Sequence, residues 1–301
     1  MDVSIILVNY NTKQLTTDAI NSIIKNTNGL IYEIIVIDND SSDNSVNYIR
    51  TCFNNNVEII EAKQNLGFGR ANNIGIKKAK GKYVFFLNTD TILINNAVKI
   101  LYDFIDRNKN VGICGGNLYD ENSKPTHSFL KKMPSVWTII SGSILYKIQM
   151  IFSNMKKNQF NYSENIMEVA YITGADIMIK KTVLAEVGGF DPEFFMYYEE
   201  TELTNRVRLK GYKVYSVPDA KIIHLQGKSI PNKNAKSNIR KYKLEMYSMF
   251  LYFEKVYGEK TVKWAYLFTQ MWNLMFAIFK GRKENLGVAK DEYKRWKNVK
   301  N

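Results

Sequence analysis

Polar side chains follow each of four apolar, β-branched runs in the first ninety residues. They combine amides, carboxylates, a phenol and a guanidinium: Asn9, Tyr10, Asn11, Asp38, Asn65, Arg70, Asn88 and Asp90. Side chains of these types, gathered at one place, can bind a polar small molecule. The alternative is that they serve only as turn and cap residues, because Asn, Asp, Ser and Gly dominate turns.

Two further features could take part in chemistry. Glu199, Glu200 and Glu202 follow the apolar run 194–198 and precede a predicted helix. Carboxylates in a first turn favour the helix dipole, but three of them are more than a cap needs. His224 is one of two histidines and follows a predicted strand at 221–223. A lone histidine is commonly only a packed or surface residue. His127 lies in an irregular part of the sequence.

The spacing of apolar residues predicts the elements that position these groups. Strands are predicted at 3–8, 33–37, 57–60 and 83–87, with helices at 13–25, 42–50, 69–79 and 95–105 between and after them. This alternation favours an α/β fold, a Rossmann-like, mostly parallel sheet with helices on both faces. Ligands of such sheets lie beyond the carboxyl ends of the strands, so the polar residues should converge on one rim. Neither a G-x-G-x-x-G motif after the first strand nor a P-loop motif is present, which disfavours a dinucleotide or P-loop site.

The pattern changes twice further along. It degrades over 117–168, which we interpret as an irregular insertion or mobile segment. Strands then return at 169–173, 176–179, 214–217 and 221–224, with helices at 182–187 and 200–210. From about residue 238 the chain is predicted to be helical. The domains expected are therefore 1–228 and a basic, amphipathic helical tail at 229–301.

The charge is concentrated in that tail. The whole chain has 42 basic and 29 acidic residues, whereas residues 228–301 have 17 basic and 6 acidic ones. A basic surface favours an anionic partner such as a membrane surface, a nucleic acid or a phosphorylated substrate. The apolar stretch 264–279 is too short to span a bilayer. The two cysteines and the lack of a signal peptide are typical of a reduced, cytoplasmic chain.

Residues 261–301 allow two interpretations. Apolar residues at helical spacing, including Trp264 and Phe268, predict an interfacial helix on anionic lipid. The alternative is a helix that packs on the catalytic domain. A homodimer is also left open, and aromatic residues between lysines would suit single-stranded nucleic acid.

Four strings carry a resemblance to a known family. They are VSIILVNYN at 3–11, IVIDNDSSD at 35–43, NLGFGRANNIG at 65–75 and GGFDPEFFMYYEETEL at 188–203. Together they resemble family 2 glycosyltransferases of the GT-A fold, nearest to the bacterial rhamnosyltransferase-like branch that builds surface polysaccharide such as capsule or cell wall. The resemblance covers roughly residues 3–228 and leaves the tail outside.

The resemblance implies roles for the residues already singled out. Tyr10 would stack on the nucleotide base and Asp38 would accept a base N–H, with Asn65 and Arg70 fixing the nucleotide. Asn88, Thr89 and Asp90 occupy the place of the D-x-D element. Asp90 would bind Mn²⁺ or Mg²⁺ and His224 would complete that metal site.

The same resemblance implies that Glu200 is the catalytic base, with Glu199 as the alternative. The chain departs from the family at Asn88, where aspartate is frequent, and at Glu200, where a longer side chain replaces aspartate.

The implied activity is an inverting glycosyl transfer. The donor would be a nucleotide-sugar, dTDP-rhamnose first, and the acceptor a lipid-linked glycan at the inner face of the cell membrane. UDP-galactose, UDP-galactofuranose and UDP-N-acetylhexosamine are alternative donors. Two other classes stay open, a nucleic-acid-binding protein acting through the basic tail and an inactive carbohydrate-binding relative.

Overall fold

The computed structural model describes residues 1–138, 159–225, 235–280 and 284–299. Strands form at the β-branched runs, because branched side chains pack well on a pleated surface. The first part comprises β1 (Val3–Asn9), α1 (Lys13–Asn26), β2 (Tyr32–Asp38), α2 (Ser45–Phe53), β3 (Glu58–Glu61), α3 (Phe68–Lys78), β4 (Tyr83–Leu87), β5 (Thr91–Leu93) and α4 (Ala97–Arg107). The second part comprises β6 (Val111–Tyr119), β7 (Phe129–Leu130), β8 (Met167–Glu168), β9 (Tyr171–Ile172), β10 (Asp176–Lys180), α5 (Lys181–Val187), α6 (Glu199–Leu209) and β11 (Lys213–His224).

A nine-stranded sheet forms the centre of these described residues, in the order β3-β2-β1-β4-β10-β6-β11-β5, with β8 also paired to β11. Strands β1 to β4, β6 and β11 run in one direction, while β10, β5 and β8 run antiparallel to their neighbours. The predicted mostly parallel sheet is therefore confirmed. Its antiparallel member β10 lies between β4 and β6.

Helices cover both faces of the sheet. One core lies between the sheet and α1, α2 and α4, where Ile20, Ile49 and Leu101 are buried. The other lies against α3, α5 and α6, where Leu184 and Leu203 are buried. The polar carboxyl ends of β1 to β4 thereby meet at one edge of the sheet.

Two local predictions differ from the structure. The strands expected at 214–217 and 221–224 are one strand, β11, with a register shift between Ser216 and Lys221. The interval 117–168 is not irregular throughout, since β6 continues to Tyr119 and β8 pairs with β11. A side-chain to backbone hydrogen bond anchors it internally: Asn117 Nδ2 donates to the backbone carbonyl of Asn161 at 2.8 Å. Residues 139–158 of that interval lie outside the described residues, as does the 228/229 domain boundary.

The tail forms three helices, α7 (Ala235–Tyr257), α8 (Glu259–Lys280) and α9 (Glu284–Asn298). They pack together around a third apolar core that includes Phe250, Val262 and Trp296. The rings of Tyr266 on α8 and Tyr293 on α9 stack with centroids 4.1 Å apart. Among the described residues, no helix combines the length and the apolar character needed to cross a membrane.

Asp176 on β10 is a buried carboxyl group that makes stability depend on pH. Its Oδ2 accepts a hydrogen bond from the Gly116 N–H, while its Oδ1 is buried and has no hydrogen-bond partner among the described residues. Burial raises the pKa of Asp176 well above its ordinary value. In the folded protein the proton is therefore kept to a higher pH than in the unfolded chain. Stability must then fall as pH rises from about 4 to the raised pKa, and level off above it.

Replacing Asp176 with Asn should remove this pH dependence, because the amide matches the protonated acid in shape and carries no charge. We expect the variant to gain about 1–3 kcal/mol over the natural protein at pH 8 and little at pH 4. Urea unfolding at both pH values measures this difference. If the variant exceeds the natural protein in free energy of unfolding by the same amount at both pH values, titration of Asp176 does not explain the difference.

Candidate active site

The rim of the sheet is built around the carboxylate of Asp38. Asn9 Nδ2 donates to Asp38 Oδ1 at 2.7 Å and to Ser41 Oγ at 2.9 Å. Asn9 Oδ1 accepts hydrogen bonds from Thr12 and Thr16 at 2.8 and 2.7 Å. Because Asn9 is fully buried and both ends of its amide are engaged, it positions Asp38 and does not itself face a ligand. The sequence placed Asn9 among the residues that could bind a ligand, and its described contacts are all with other residues of the rim.

Asn11 also has a role in shaping the rim. Its backbone adopts a left-handed conformation with φ of 54°, and its Oδ1 accepts a hydrogen bond from the Ser42 N–H at 2.7 Å. Asn11 thus ties the turn after β1 to the turn after β2. The neighbouring Tyr10 ring is 44% exposed beside Asp38, so it is available for stacking on a flat ligand.

The loop after β3 is shaped by amides and a glycine. Asn65 Oδ1 accepts hydrogen bonds from Asn39 Nδ2 at 3.1 Å and from the Gly67 N–H at 3.0 Å. Gly67 has φ of +79°, and a β-carbon there would collide with the carbonyl of Phe195. The loop therefore packs directly on the segment that precedes the acidic residues. This close approach explains the need for glycine at position 67.

Arg70 joins the same two segments. Its Nε donates to the carbonyl of Pro192 at 2.5 Å, and its side chain is otherwise exposed. The sequence associated Asn65 and Arg70 with the nucleotide. The described contacts instead give both residues a part in holding the loops around the rim.

Asp90 and His224 come together at the end of β4. The antiparallel pairing of β5 with β11 puts His224 opposite Thr91, the residue after Asp90. His224 Nε2 lies 3.3 Å from Asp90 Oδ1, and both side chains are largely buried. The Leu225 N–H donates to the Asp90 carbonyl at 2.8 Å, which holds the two segments in register.

This pair fits a divalent cation. A carboxylate oxygen and an imidazole nitrogen are ligands that suit Mn²⁺. His224 Nδ1 is buried without a hydrogen-bond partner in the described part of the chain. No group of three or more His, Cys, Asp and Glu side chains with metal-site geometry occurs among the described residues. Asp90 and His224 would therefore supply two ligands, leaving other positions to a ligand such as a phosphate.

The acidic residues begin α6 after a strained turn. Tyr197 and Tyr198 both have left-handed backbones, with φ of 72° and 66°. Two consecutive non-glycine residues in this conformation cost free energy, and such strain is concentrated at functional sites. The helix that carries Glu199 and Glu200 begins directly after this turn.

Glu200 packs against the turn between β9 and β10. A β-carbon built on Gly174 would lie 3.7 Å from Glu200 Cγ. The next residue, Ala175, accepts a hydrogen bond from the Asn88 N–H at 3.0 Å. This chain of contacts connects Glu200 to the segment that carries Asp90. Burial raises the pKa of Glu200.

Glu199 packs against the first turn of α3, next to Arg70. A β-carbon built on Gly69 would lie 3.7 Å from Glu199 Cβ. Glu199 Oε2 is buried and has no hydrogen-bond partner in the described structure. Burial, and secondarily the charge of Glu200, raise the pKa of Glu199 well above its ordinary value. Both carboxyl groups therefore stay candidates for the base, with Glu200 proposed first and Glu199 as the alternative.

Glu202 has a structural role. Its two carboxylate oxygens each accept a hydrogen bond from Arg206 at 2.7 Å. Arg206 also donates to the carbonyls of Val187 and Gly189, at 2.5 and 2.8 Å. The pair therefore braces the loop between α5 and α6.

Helix α7 of the tail holds this same loop, a role that the sequence did not indicate. Ser248 Oγ donates to the carbonyl of Met196 at 2.7 Å. Lys255 Nζ lies 2.9 Å from Asp191 and 2.6 Å from Glu193. Phe194 is fully buried against the tail. The tail and the loop that precedes Glu200 are therefore one packed unit.

Loosening these contacts should lower turnover without weakening donor binding. We expect Ser248→Ala combined with Lys255→Met to reduce kcat by between about tenfold and a hundredfold, because small displacements of a catalytic group are costly. KM for the donor should change little, since the rim around Asp38 is untouched. Steady-state kinetics measures both, with exposed Lys243→Met on the same helix as the control. A normal kcat with a lowered Tm would assign the contacts to stability alone.

The fold and the rim define a class of proteins, those with the GT-A glycosyltransferase fold. Family comparison then places the chain within it: the model of Glycosyl transferase family 2 matches residues 4–188. The chain belongs to this family, which confirms the resemblance drawn from its motifs.

Curated relatives are distant and diverse. The low-salt glycan biosynthesis hexosyltransferase Agl10 of Haloferax volcanii is 25% identical over 75% of this chain and 67% of its own length. Rhamnosyltransferase WbbL of Escherichia coli K12 is 25% identical over 52% of the chain and 60% of its own length. The poly-beta-1,6-N-acetyl-D-glucosamine synthase of Staphylococcus aureus is 26% identical over 72% of the chain. The chain spans 48% to 67% of the length of these relatives.

Solved structures agree on the fold. S. aureus TarS 1–349 in complex with UDP has a TM-score of 0.54 at 17% identity, covering 92% of this chain and 72% of that one. GalNAc-T7 with UDP, GalNAc and Mn²⁺ has a TM-score of 0.61 at 17% identity, covering 97% of this chain and 55% of that one. At such identities the likeness concerns the fold.

Proposed function

We propose that this protein transfers a sugar from a nucleotide-sugar to an acceptor hydroxyl with inversion at the anomeric carbon. The observation that carries the proposal is the 3.3 Å approach of His224 to Asp90. That pair lies at the end of β4, and Asp38 lies at the parallel end of β2. The Mn²⁺ and UDP bound to GalNAc-T7 support the combination of a nucleotide and a divalent cation on this fold.

Some of the site residues bind the nucleotide-sugar donor, and one activates the acceptor hydroxyl. Tyr10 stacks on the base and Asp38 accepts its N–H. Asn88 presents an amide beside the ribose and phosphates. A cation held by Asp90 and His224 would neutralise the charge that the leaving diphosphate develops. Glu200 accepts the proton of the attacking acceptor hydroxyl as that oxygen bonds to the anomeric carbon. Attack from the face opposite the diphosphate inverts the configuration.

The donor is proposed to be dTDP-rhamnose, which the similarity to rhamnosyltransferase WbbL supports. A UDP-sugar is the second candidate. The UDP-sugars considered are UDP-galactose, UDP-galactofuranose and UDP-N-acetylhexosamine. Similarity to the poly-beta-1,6-N-acetyl-D-glucosamine synthase favours UDP-N-acetylhexosamine among them. We place the product in the synthesis of a surface polysaccharide.

The acceptor is proposed to be a lipid-linked glycan at the inner face of the cell membrane. The domains in this proposal are a transferase domain of 1–228 and a helical tail of 229–301. Excess basic residues in the tail support contact with anionic lipid. The basic tail was also the reason to consider nucleic-acid binding, for which membership in family 2 provides no support.

A thermal-shift screen tests the proposal. Nucleoside diphosphates and nucleotide-sugars are added with Mn²⁺, with Mg²⁺ and with EDTA. A ligand present at a hundred times its Kd stabilises the folded state by about 2.7 kcal/mol, which is readily measured. We expect the largest shift with a dTDP- or UDP-sugar plus cation. The proposal fails if no nucleotide raises Tm under any of these conditions.

A further inference from the structure

Helix α8 has an apolar face that nothing in the described structure covers. Five side chains on that face are between 40% and 68% exposed: Trp264, Leu267, Met271, Leu274 and Ile278. We call these five residues the α8 face. Their spacing of three and four residues aligns them along one side of the helix. The Trp264 ring stacks on Phe268, with centroids 6.1 Å apart, which broadens the face.

The α8 face is not the surface that holds the tail together. The opposite side of α8 is buried, and it consists mainly of small or polar residues: Val262, Ala265, Thr269, Asn273 and Ala277. On that side Asn273 Nδ2 donates to Tyr242 of α7 at 2.8 Å and to the carbonyl of Asn285 of α9 at 3.1 Å. Five large apolar side chains of α8 therefore point outward, while Tyr266 packs inward on α7 and α9.

Charge around the α8 face identifies its occupant. Glu259 is the single acidic residue of α8, and the exposed Lys260 and Lys263 lie in its first turns. The adjoining α9 adds exposed Lys290 and Lys294 against one exposed carboxylate among its described residues, Asp291, so the excess stays basic. A second copy of the chain would bring like charges together along the contact. An anionic lipid surface complements them, and Trp is favoured at the headgroup level of such a surface.

We propose that the α8 face lies on the surface of an anionic bilayer, with α8 parallel to the membrane plane. Binding of the α8 face to a membrane does not depend on catalysis. The purpose of that binding rests on the proposed function, since a lipid-linked acceptor would be met at the membrane surface. Phe250 of α7 contacts Tyr266 of α8 at a centroid distance of 6.4 Å, and Ser248 of α7 holds the loop before Glu200. Helix α7 thereby links the membrane-contacting helix to the catalytic loop.

Vesicle co-sedimentation of the full chain tests the proposal. Phosphatidylcholine vesicles with and without phosphatidylglycerol serve as the two surfaces. We expect binding to the anionic vesicles and at least a tenfold loss of affinity for Leu267→Ser combined with Leu274→Ser. The matched control is Ile31→Ser combined with Leu209→Ser, which removes even more exposed apolar side chains from the catalytic domain. The double variant Lys260→Gln and Lys263→Gln should bind the anionic vesicles more weakly. Its residual affinity should depend less on salt concentration than that of the natural protein.

Other outcomes would overturn the proposal. It is wrong if the α8-face variant binds as tightly as the natural protein, or if the natural protein binds neither vesicle. A dimer in solution that dissociates in the α8-face variant would assign the face to a second copy. Circular dichroism and Tm confirm that each variant is folded. Nucleotide-sugar hydrolysis without vesicles is measured in parallel. If the protein binds vesicles but hydrolyses no nucleotide-sugar, the result counts against the proposed transferase function and not against membrane binding.

Discussion

Glu200→Gln is expected to lower turnover by about 10²–10⁴-fold, because the acceptor hydroxyl then loses the group that takes its proton. Glutamine has the same size and leaves the turn before α6 intact. The Kd for the nucleoside diphosphate should therefore not change. The measurement is kcat for transfer together with nucleotide binding by titration calorimetry. A variant that keeps near-natural turnover while it binds nucleotide would remove Glu200 from this role.

Glu199→Gln is the matched control, since it changes the adjacent carboxyl group that points toward α3. We expect a much smaller loss of kcat. A large loss in this variant, with Glu200→Gln nearly unaffected, would exchange the two roles. The pH profile is a second readout. A base acts only when ionised, and burial raises the pKa of Glu200. Activity should therefore rise with pH in a range above the ordinary glutamate pKa of about 4.3.

Asp90→Asn combined with His224→Asn is expected to abolish the effect of divalent cations on the protein. A bound cation contributes several kcal/mol to stabilising a charged transition state, so kcat/KM should fall at least about a hundredfold. The increase in Tm that Mn²⁺ produces with a nucleoside diphosphate should also disappear. Thermal shift and steady-state kinetics measure the two effects.

The natural protein offers an independent check of the same site. Its activity should be lost in excess EDTA and restored by Mn²⁺ or Mg²⁺. Asp103→Asn is the control, because that carboxylate pairs with Lys99 on the outer surface of α4. Full activity in EDTA, together with full activity of the Asp90 and His224 double variant, would remove the cation from the reaction.

Much of the fold could be predicted because its signals are local. The runs that form β1 to β4 are apolar and β-branched, and the helices between them show a helical period. Parallel strands end at one edge, so the meeting of Asn9 with Asp38 follows from the order of elements. The role of Asn9 did not follow: an amide at a strand end looks the same whether it faces a ligand or supports a neighbour.

The segments that were predicted less well depend on distant contacts. Strand β5 has three residues and carries no periodic signal of its own; it forms because β11 pairs with it. Pro218 interrupts the apolar pattern within β11, which suggested two strands where the sheet accommodates a register shift. The hold of α7 on the loop before Glu200 rests on Ser248 and Lys255, residue types that are ordinary on any exposed helix.

Local pattern alone determined the class of fold, the polar edge of the sheet and the membership in a family whose motifs are contiguous strings. Tertiary structure decided where the tail packs and that His224 meets Asp90. The reason is that a contact between residues far apart in the chain depends on strand order and register. Those are set by the packing of the whole core, and no short stretch of sequence records them.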